Sequence, residues 1–323
     1  MNAPRTRVQR RPVHGVLLLD KPIGLSSNQA LQKAKWLLRA EKAGHTGTLD
    51  PLATGVLPLA FGAATKFSGL HLDADKSYAA TLRLGVRTVT GDAEGEVVET
   101  RPVPPLDAAR LQAVRQRFLG AIEQIPPMHS ALKKDGQPLY ALARAGVEVE
   151  RAPRAVTIHA LTLTLLDVHT LALEVTCSKG TYIRTLGEDI GAALGCGGHL
   201  SALRRTATGP FGGAQCITLD ALEHLSKAER LARLLPPESL LFDHVPIVLP
   251  DEEAGRFLTG LRRRGPWPDA AQAAVFGAHP RALLGSAHVM HGELIPDRLL
   301  SPVEVQQMLQ ALPPDRIAVP SMT

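Results

Sequence analysis

Aromatic side chains and cysteines are scarce in this sequence. Only 4% of its 323 residues are Phe, Trp or Tyr, so any stacking on a planar ligand must depend on very few side chains. The three cysteines, Cys177, Cys196 and Cys216, include no Cys-x-x-Cys pair, and an odd number cannot form a complete disulfide framework. We therefore expect a protein of a reducing compartment that has no structural zinc site.

Long apolar runs are missing as well. No segment approaches the roughly 20 apolar residues that a helix needs to cross a bilayer. The apolar residues 16–19 are too few for the core of a signal peptide. We expect a cytoplasmic protein without a membrane partner, and the net charge of +5 suits a polyanionic partner. Residues 1–13 are predicted to form a basic N-terminal arm that contains Arg5, Arg7, Arg10 and Arg11.

The most distinctive segment, residues 44–55, lacks the motifs of phosphate-binding and magnesium-binding loops. It is rich in Gly and Thr and holds one carboxylate, Asp50. No Gly-Lys-Ser/Thr ends the segment, which excludes a Walker-type loop. Magnesium-dependent phosphoryl-transfer enzymes place their nucleophilic Asp before a similar Thr-Gly-Thr, whereas Asp50 follows it. No Asp-x-Asp pair lies nearby, so magnesium would lack the carboxylates that it prefers.

The same segment is suited to present its carboxylate to a ligand. Pro51 disfavours the helical conformation at Asp50, and the glycines permit tight turns and a close approach of other atoms. An ordinary surface turn has a similar composition. The apolar residues Leu49, Leu52 and Val56 around the Asp favour a carboxylate that is held at a site.

Apolar periodicity predicts an α+β chain. Ser26 and Gln29 form a capping box for a helix that stops by Gly44, and further helices are predicted from Asp107 and around Ile183. Alternation predicts strands at residues 15–20, 78–85, 156–165 and 171–177. Residues 96–99 are predicted to pair with residues 78–85. Hairpins interspersed with helices indicate a mixed, largely antiparallel sheet.

The loop and its surroundings resemble the bacterial tRNA pseudouridine-55 synthases, the TruB-type family. Six further blocks follow the order of the motifs in that family, and together they span residues 14 to about 215. These blocks are residues 15–27, 76–78, 85–95, 126–133, 178–186 and 199–206.

The resemblance implies a pseudouridine synthase fold, with a mixed, largely antiparallel central sheet flanked by helices. The catalytic domain would span residues 14–245, with an RNA-clasping insertion at about 124–152. Strand signals with glycine turns in residues 246–300 resemble a small, β-rich PUA-like RNA-binding domain, and residues 301–323 form a tail. Four arginines near the start of this small domain either contact tRNA phosphates or form a solvated charge run: Arg256, Arg262, Arg263 and Arg264.

The resemblance also implies an activity, the isomerisation of uridine 55 in the T loop of tRNA to pseudouridine. Nothing is oxidised and no group leaves the molecule in this reaction, so we expect neither a cofactor nor a metal. The expected partner is the T arm of tRNA, bound by a monomer that needs no other protein. Two alternatives remain, a guide-RNA-type synthase acting on other RNA and a non-catalytic RNA-folding protein. The insertion resembles that of the stand-alone bacterial type.

Three residues carry the chemistry that the resemblance implies. Asp50 is the catalytic carboxylate, and it attacks the base, attacks the sugar or removes a ribose proton. Arg184, at the start of a helix, keeps this carboxylate ionised against the effect of burial. Tyr78 stacks on the flipped-out base and is the candidate for a proton relay. His129 stands in the insertion, and no catalytic function is carried onto it.

Five further residues are candidates for substrate or RNA binding. His45 either fills the space that the base vacates or is a turn residue, and Lys21 either contacts an RNA phosphate or holds the catalytic loop. Asp92 either supports the uracil edge or caps a turn. Leu203, expected on a helix, packs against the flipped ring or belongs to the core, and Lys179 lies in the block of residues 178–186.

Overall fold

The computed structural model of the protein describes residues 9–311. Strands and helices, joined by turns and loops, occur along this whole range. The strands up to residue 218 are β1 (Gly15–Lys21), β2 (Ala43–His45), β3 (Ala53–Phe61), β4 (Lys76–Leu84), β5 (Val86–Thr88), β6 (Val97–Thr100), β7 (Gly120–Gln124), β8 (Lys133–Lys134), β9 (Gln137–Pro138), β10 (Arg154–Asp167), β11 (Thr170–Cys177), β12 (Gly198–Thr208), β13 (Phe211–Gly212) and β14 (Ile217–Thr218). The helices up to residue 232 are α1 (Ser27–Leu37), α2 (Ala108–Phe118), α3 (Leu139–Arg144), α4 (Ile183–Ala193), α5 (Leu219–His224) and α6 (Lys227–Ala232).

A ten-stranded sheet forms the centre of the molecule. Its strand order is β14-β1-β3-β12-β4-β11-β10-β7, with β2 paired to β3 and β13 to β12. The β1–β14 and β3–β12 pairs are parallel and the other pairs are antiparallel. The prediction of a mixed, largely antiparallel central sheet is therefore confirmed.

The predicted helix starts agree with the structure. Ser26 caps α1 and Gln29 completes the capping box, while Asp107 caps α2 through the backbone N–H of Arg110. Helix α4 begins at Ile183. Helix α1 ends at Leu37, earlier than the pattern suggested, because the chain reverses soon after it.

Two local predictions are wrong. Residues 96–99 pair with β5 and not with β4, because β11 and β12 occupy the two edges of β4. Leu203 lies on strand β12 and not on a helix. A register shift between Leu200 and Ala202 interrupts the alternation of β12, so Leu200 and Leu203 both point inward with a spacing that imitates a helix.

A second sheet follows the central one and confirms the β-rich character of the C-terminal region. Its strands run in the order β15-β17-β18-β19-β16. The elements of this region are β15 (Val245–Leu249), α7 (Asp251–Leu258), β16 (Arg263–Arg264), β17 (Ala270–Gly277), β18 (Ala282–Met290), β19 (Glu293–Leu299) and α8 (Pro302–Ala311). Helix α8 begins the predicted tail. Residues 312–323, like Arg5 and Arg7 of the N-terminal arm, lie outside the described residues.

The second sheet packs directly on the central one. Phe276 and Leu300 join Val16 and Val56 in one buried apolar cluster. The Lys66 ammonium donates 2.9 Å to the carbonyl of Leu299 across this contact. Because the two sheets share a core, removing the C-terminal region would expose apolar surface of β1 and β3. The boundaries of the two domains stay a prediction.

The four arginines proposed for tRNA phosphates already have carboxylate partners. They form surface ion pairs within the second sheet and its helix: Arg256 with Glu252, Arg263 with Glu253, and Arg262 and Arg264 with Glu293. These pairs reduce the positive charge available to RNA. They favour the second alternative, in which the four arginines form a solvated charge run.

A close contact between β3 and β12 generates the first prediction. Gly55 has a φ of +100°, and a Cβ placed on it would lie 2.1 Å from the carbonyl oxygen of Arg205. We expect Gly55→Ala to lower the free energy of unfolding by at least about 2 kcal/mol, since backbone strain of this kind alone amounts to ~1–3 kcal/mol. Denaturant unfolding measures the effect.

The matched control is Gly44→Ala, in the same loop, where the new methyl group would have no atom within 4 Å. Its free energy of unfolding should change by only about 0.5 kcal/mol. Equal effects of the two substitutions would show that the β3–β12 contact does not restrict Gly55.

Candidate active site

The loop that carries Asp50 is held on both sides of that residue. Preceding Asp50, the hydroxyl of Ser27 accepts a hydrogen bond from the backbone N–H of Leu49 (2.7 Å) and lies 3.0 Å from its carbonyl oxygen. Following Asp50, the carbonyl of Pro51 accepts a hydrogen bond from the N–H of Gly24 (2.8 Å). The start of α1 and the turn before it therefore fix the position of the carboxylate.

Lys21 is the second support of this loop. Its side chain is fully buried, and the ammonium lies 2.9 Å from the carbonyl oxygen of Pro22, 2.5 Å from that of Leu25 and 3.4 Å from that of Pro51. Burial lowers the pKa of Lys21 to about 8, and the charge of Asp50 opposes this effect. This geometry favours the loop-holding role of Lys21 over a contact with RNA phosphate.

Arg184 brings the two candidate carboxylates together. Its guanidinium lies 3.0 Å from Asp50 and 3.6 Å from Asp92. It also donates to the backbone carbonyls of Thr90 (2.7 Å) and His129 (2.6 Å). The Arg184 side chain is 6% exposed whereas that of Asp50 is 39% exposed. The cation is therefore enclosed by protein, and the carboxylate that it holds remains open to a substrate.

The ionisation of Asp50 depends on this arrangement. Burial raises the pKa of Asp50, and the charge of Asp92 raises it further. The charge and hydrogen bond of Arg184 and the charge of Lys21 lower this pKa. The two cations thus oppose the rise in the pKa of Asp50 and favour its ionised form.

Asp92 fits the turn-capping alternative. One of its oxygens accepts hydrogen bonds from the Thr90 hydroxyl (2.6 Å) and from the N–H of Glu94 (3.1 Å). The other faces Arg184, and the side chain is 4% exposed. Asp92 orders the site through Arg184 and leaves little surface for a uracil edge.

Tyr78 and Leu203 lie on neighbouring strands beside the loop. Leu203 pairs with Ala80 of β4 and with Ala53, where β3 leaves the catalytic loop. Tyr78 stands one inward position away on β4, and both side chains are nearly buried. Burial raises the pKa of the Tyr78 phenol. The site thus contains a flat phenol and an apolar side chain beside the loop of Asp50.

His45 and Lys179 differ in their relation to this group. His45 lies on β2, its Nδ1 has no hydrogen-bond partner in the described part of the chain, and burial lowers its pKa. The lowered pKa favours a neutral imidazole at the start of the loop that carries Asp50. Lys179 is well exposed and forms an ion pair with Asp73 at 2.8 Å. This contact holds Lys179 at the surface and does not involve Asp50.

Sequence reasoning missed two groups of the site. The backbone carbonyl of His129 binds Arg184, which no side-chain pattern could reveal. Arg205 is 1% exposed and donates to the carbonyl of Val56 at 2.7 Å. Its position two residues after the buried Leu203, on the same face of β12, was the available signal.

The cluster combines one partly exposed carboxylate, that of Asp50, with a buried arginine and a phenol nearby. Within residues 9–311, no three His, Cys, Asp or Glu side chains are grouped as metal ligands, and no helix is long and apolar enough to cross a membrane. The arrangement is suited to nucleophilic or proton-transfer chemistry on a planar substrate.

Solved structures with a similar fold define the class of protein. A Cbf5-Nop10-Gar1 complex matches with a TM-score of 0.70 at 24% identity, covering 94% of this chain and 92% of the other. The Nop10-Cbf5 complex of an archaeal box H/ACA sRNP matches with a TM-score of 0.66 at 23% identity, covering 93% and 88%. The fold is that of the pseudouridine synthases.

Sequence comparison identifies the family. Residues 35–183 match the N-terminal domain of the TruB family of pseudouridylate synthases, and residues 184–242 match the C-terminal domain of tRNA pseudouridylate synthase B. A tRNA pseudouridine synthase B of Verminephrobacter eiseniae is 64% identical over 96% of both chains. One of Cupriavidus pinatubonensis is 57% identical over 91% of this chain and 96% of the relative. The protein belongs to the TruB family of pseudouridylate synthases.

The Arg184–Asp50 pair generates the second prediction. Since burial already raises the pKa of Asp50 and Arg184 lowers it, Arg184→Gln should move the midpoint of Asp50 ionisation to still higher pH. The carboxylate form would then be lost at higher pH as the solution is acidified. Carbon-13 carboxyl NMR, with the Asp50 signal assigned by its absence in Asp50→Asn, measures the midpoint.

Arg204→Gln is the matched control, because Arg204 forms its ion pair with Asp20 on the surface. Its midpoint for Asp50 should equal that of the unsubstituted protein. An unchanged midpoint in Arg184→Gln would show that Arg184 does not control the charge of Asp50.

Proposed function

We propose that the protein isomerises uridine 55 in the T loop of tRNA to pseudouridine, using Asp50 as the catalytic carboxylate on a flipped-out base. One observation carries this proposal. Asp50 keeps 39% of its side chain exposed while a buried arginine lies 3.0 Å from it, in a chain whose family makes pseudouridylate.

The choice of tRNA rests on the relatives. Chains that are 55–64% identical over more than nine-tenths of this one are named tRNA pseudouridine synthase B. The guide-RNA alternative has weaker support. The H/ACA structures are only 23–24% identical to this chain, and a similarity of that size supports a shared fold but not a shared substrate. We therefore propose a stand-alone enzyme that acts as a monomer in the cytoplasm on the T arm of tRNA.

The ion pair serves each route open to Asp50. The carboxylate can attack carbon 6 of the base, attack carbon 1′ of the sugar or remove the proton at carbon 2′. All three routes require an ionised carboxylate, and Arg184 supplies the charge that favours this form. Its two bonds to backbone carbonyls keep the guanidinium in place while Asp50 reacts.

Tyr78 is proposed to act on the base after the glycosidic bond breaks. Its ring can stack on the uracil, and its phenolate form can receive the proton that leaves carbon 5. The pairing of Tyr78 with Val175 of β11 and Arg205 of β12 fixes its backbone within the sheet. Proton transfer by such a positioned group contributes about 10²–10⁴ in rate.

No redox cofactor or metal is part of the proposal. The reaction is an isomerisation in which nothing is oxidised and no group leaves the molecule. The cation that stabilises developing charge is supplied by Arg184. His45 is proposed to face the space left by the flipped base, and Leu203 to contact its ring.

The third prediction tests substrate and position together. The purified protein should release tritium from carbon 5 of uridine 55 in an unmodified T-arm transcript, with EDTA present and no guide RNA. A transcript with cytidine at position 55 and tritiated uridines elsewhere is the control and should release none. Release that requires a guide RNA, or that comes from another uridine, would contradict the proposed substrate.

The fourth prediction concerns Asp50. Asp50→Asn should reduce single-turnover release at least about 10⁴-fold, because a neutral amide is a poor nucleophile and a poor base. Its affinity for the T arm should stay within a few fold, as measured by filter binding.

Asp20→Asn is the control for a carboxylate near the loop, because Asp20 pairs with Arg204 and not with Arg184. It should retain most of the activity. A rate for Asp50→Asn within tenfold of that of Asp20→Asn would refute the role given to Asp50.

A further inference from the structure

Arg205 is a buried cation that has no carboxylate partner in the described part of the chain. It is among the largest fully buried side chains of the protein and is 1% exposed. Its Nε donates to the carbonyl of Val56, while its Nη2 has no hydrogen-bond partner among residues 9–311. Arg184, the other buried arginine of the site, has two carboxylates within 4 Å.

Such a residue is unfavourable for stability unless its charge is used. A guanidinium stays protonated in proteins, so it cannot avoid the desolvation penalty by losing its charge. The fold nevertheless encloses it, because β3 runs against its backbone at Gly55 and a Cβ on Gly47 would lie 3.5 Å from its Nη1. An apolar side chain of similar volume would fill the same space with less penalty.

The group that can use this charge is the phenol of Tyr78. Arg205 and Tyr78 are opposite residues in the register of β12 and β4. Both side chains are buried, and the positive charge of Arg205 opposes the rise that burial causes in the pKa of Tyr78. The other charged or titratable groups that act on the phenol are Cys177 of β11 and Asp50 of the catalytic loop, and both disfavour its ionisation. Arg205 is therefore the cation that favours a negative charge on the phenol oxygen.

We propose that Arg205 is a positioning residue for Tyr78, which fixes the direction of the hydroxyl and stabilises negative charge on the phenol oxygen during proton transfer. This inference rests on the proposed function. In that reaction carbon 5 loses one proton and nitrogen 1 gains one. The Tyr78 phenolate takes the carbon-5 proton, the electron pair of that C–H bond restores the 5,6 double bond, and the π pair between nitrogen 1 and carbon 6 moves onto nitrogen 1.

The cycle closes without a co-reactant. Before this transfer the Tyr78 phenol gives up its proton to solvent, and nitrogen 1 takes a proton from solvent, so the proton from carbon 5 restores the resting phenol. Arg205 contacts neither the base nor the sugar in this scheme. It lowers the energy of the charged form of Tyr78, which burial alone would make unfavourable.

The first arm of the test measures the phenol directly and does not depend on activity. The chain has three tyrosines, Tyr78, Tyr140 and Tyr182. Replacing the last two by Phe and incorporating 3-fluorotyrosine, whose phenol is more acidic, leaves one fluorine signal at position 78. Its chemical shift as a function of pH gives the midpoint of ionisation.

In this background Arg205→Gln should raise the Tyr78 midpoint by about 1–3 pH units, the usual effect of removing an opposite charge at close range. The glutamine retains an N–H that can reach the carbonyl of Val56. Arg204→Gln is the matched control, since Arg204 is the preceding residue of the same strand and forms its ion pair with Asp20. It should leave the midpoint unchanged. An equal midpoint in all three proteins would overturn the proposal.

The second arm uses the rate of tritium release and the conservative variant Arg205→Lys. Lysine keeps the charge and loses the planar fork that directs hydrogen bonds. The rate should fall by at least about tenfold with Tyr78 present and by less than about twofold in the Tyr78→Phe background. An equal loss in both backgrounds would assign Arg205 to packing alone.

Together the two arms separate this inference from the proposed function. If the T-arm transcript is not a substrate, the fluorine titration still reports the effect of Arg205 on Tyr78. If the transcript reacts and the titration shows no shift, the proposed function stands and the role of Arg205 is refuted. Should Arg205→Gln not fold, the lysine variant decides through the comparison of the two backgrounds.

Discussion

The site depends on keeping a carboxylate charged where its surroundings favour the neutral acid. Burial and Asp92 both raise the pKa of Asp50, and Arg184 is the largest influence against them. The guanidinium can do so because three segments meet it: the loop of Asp50, the turn that holds Thr90 and Asp92, and the backbone of His129. Each contact restricts the arginine, and the arginine in turn defines where the carboxylate lies. A planar fork with several donors is suited to this task, and a lysine is not.

Buried cations recur around the catalytic loop, and each has a different use. Arg184 forms an ion pair, whereas Lys21 makes its contacts with backbone carbonyls alone. Arg205 combines a hydrogen bond to the carbonyl of Val56 with a position opposite Tyr78 on β4. A loop rich in glycine has few side chains with which to stabilise itself. The Lys21 ammonium from β1 reaches the loop carbonyl of Pro51, and Arg205 from β12 binds the carbonyl of Val56 just beyond the loop. The loop is thus supported while its carboxylate remains uncovered.

The central sheet joins these groups to the rest of the molecule. Strand β3 begins where the catalytic loop ends, pairs with β1 and β12, and reaches the core shared with the second sheet. The C-terminal region therefore contributes to the stability of the strand that carries the loop, in addition to any contact with RNA. Its arginines form ion pairs with neighbouring glutamates, which makes the shared core its best-supported contribution.

Local interactions explain what the sequence by itself determined: the capped start of α1, the α+β class, the loop around Asp50 and the family resemblance all come from neighbouring residues. The tertiary structure decided the rest. The strand assignment of Leu203 depends on a register shift that imitates helical spacing, and the role of Lys21 depends on carbonyls that folding brings to it. The burial of Arg205 opposite Tyr78 depends on the pairing of β12 with β4, two strands that are distant in the chain. Sequence patterns report the preferences of neighbours, whereas the electrostatics of a buried site arise from contacts between remote segments.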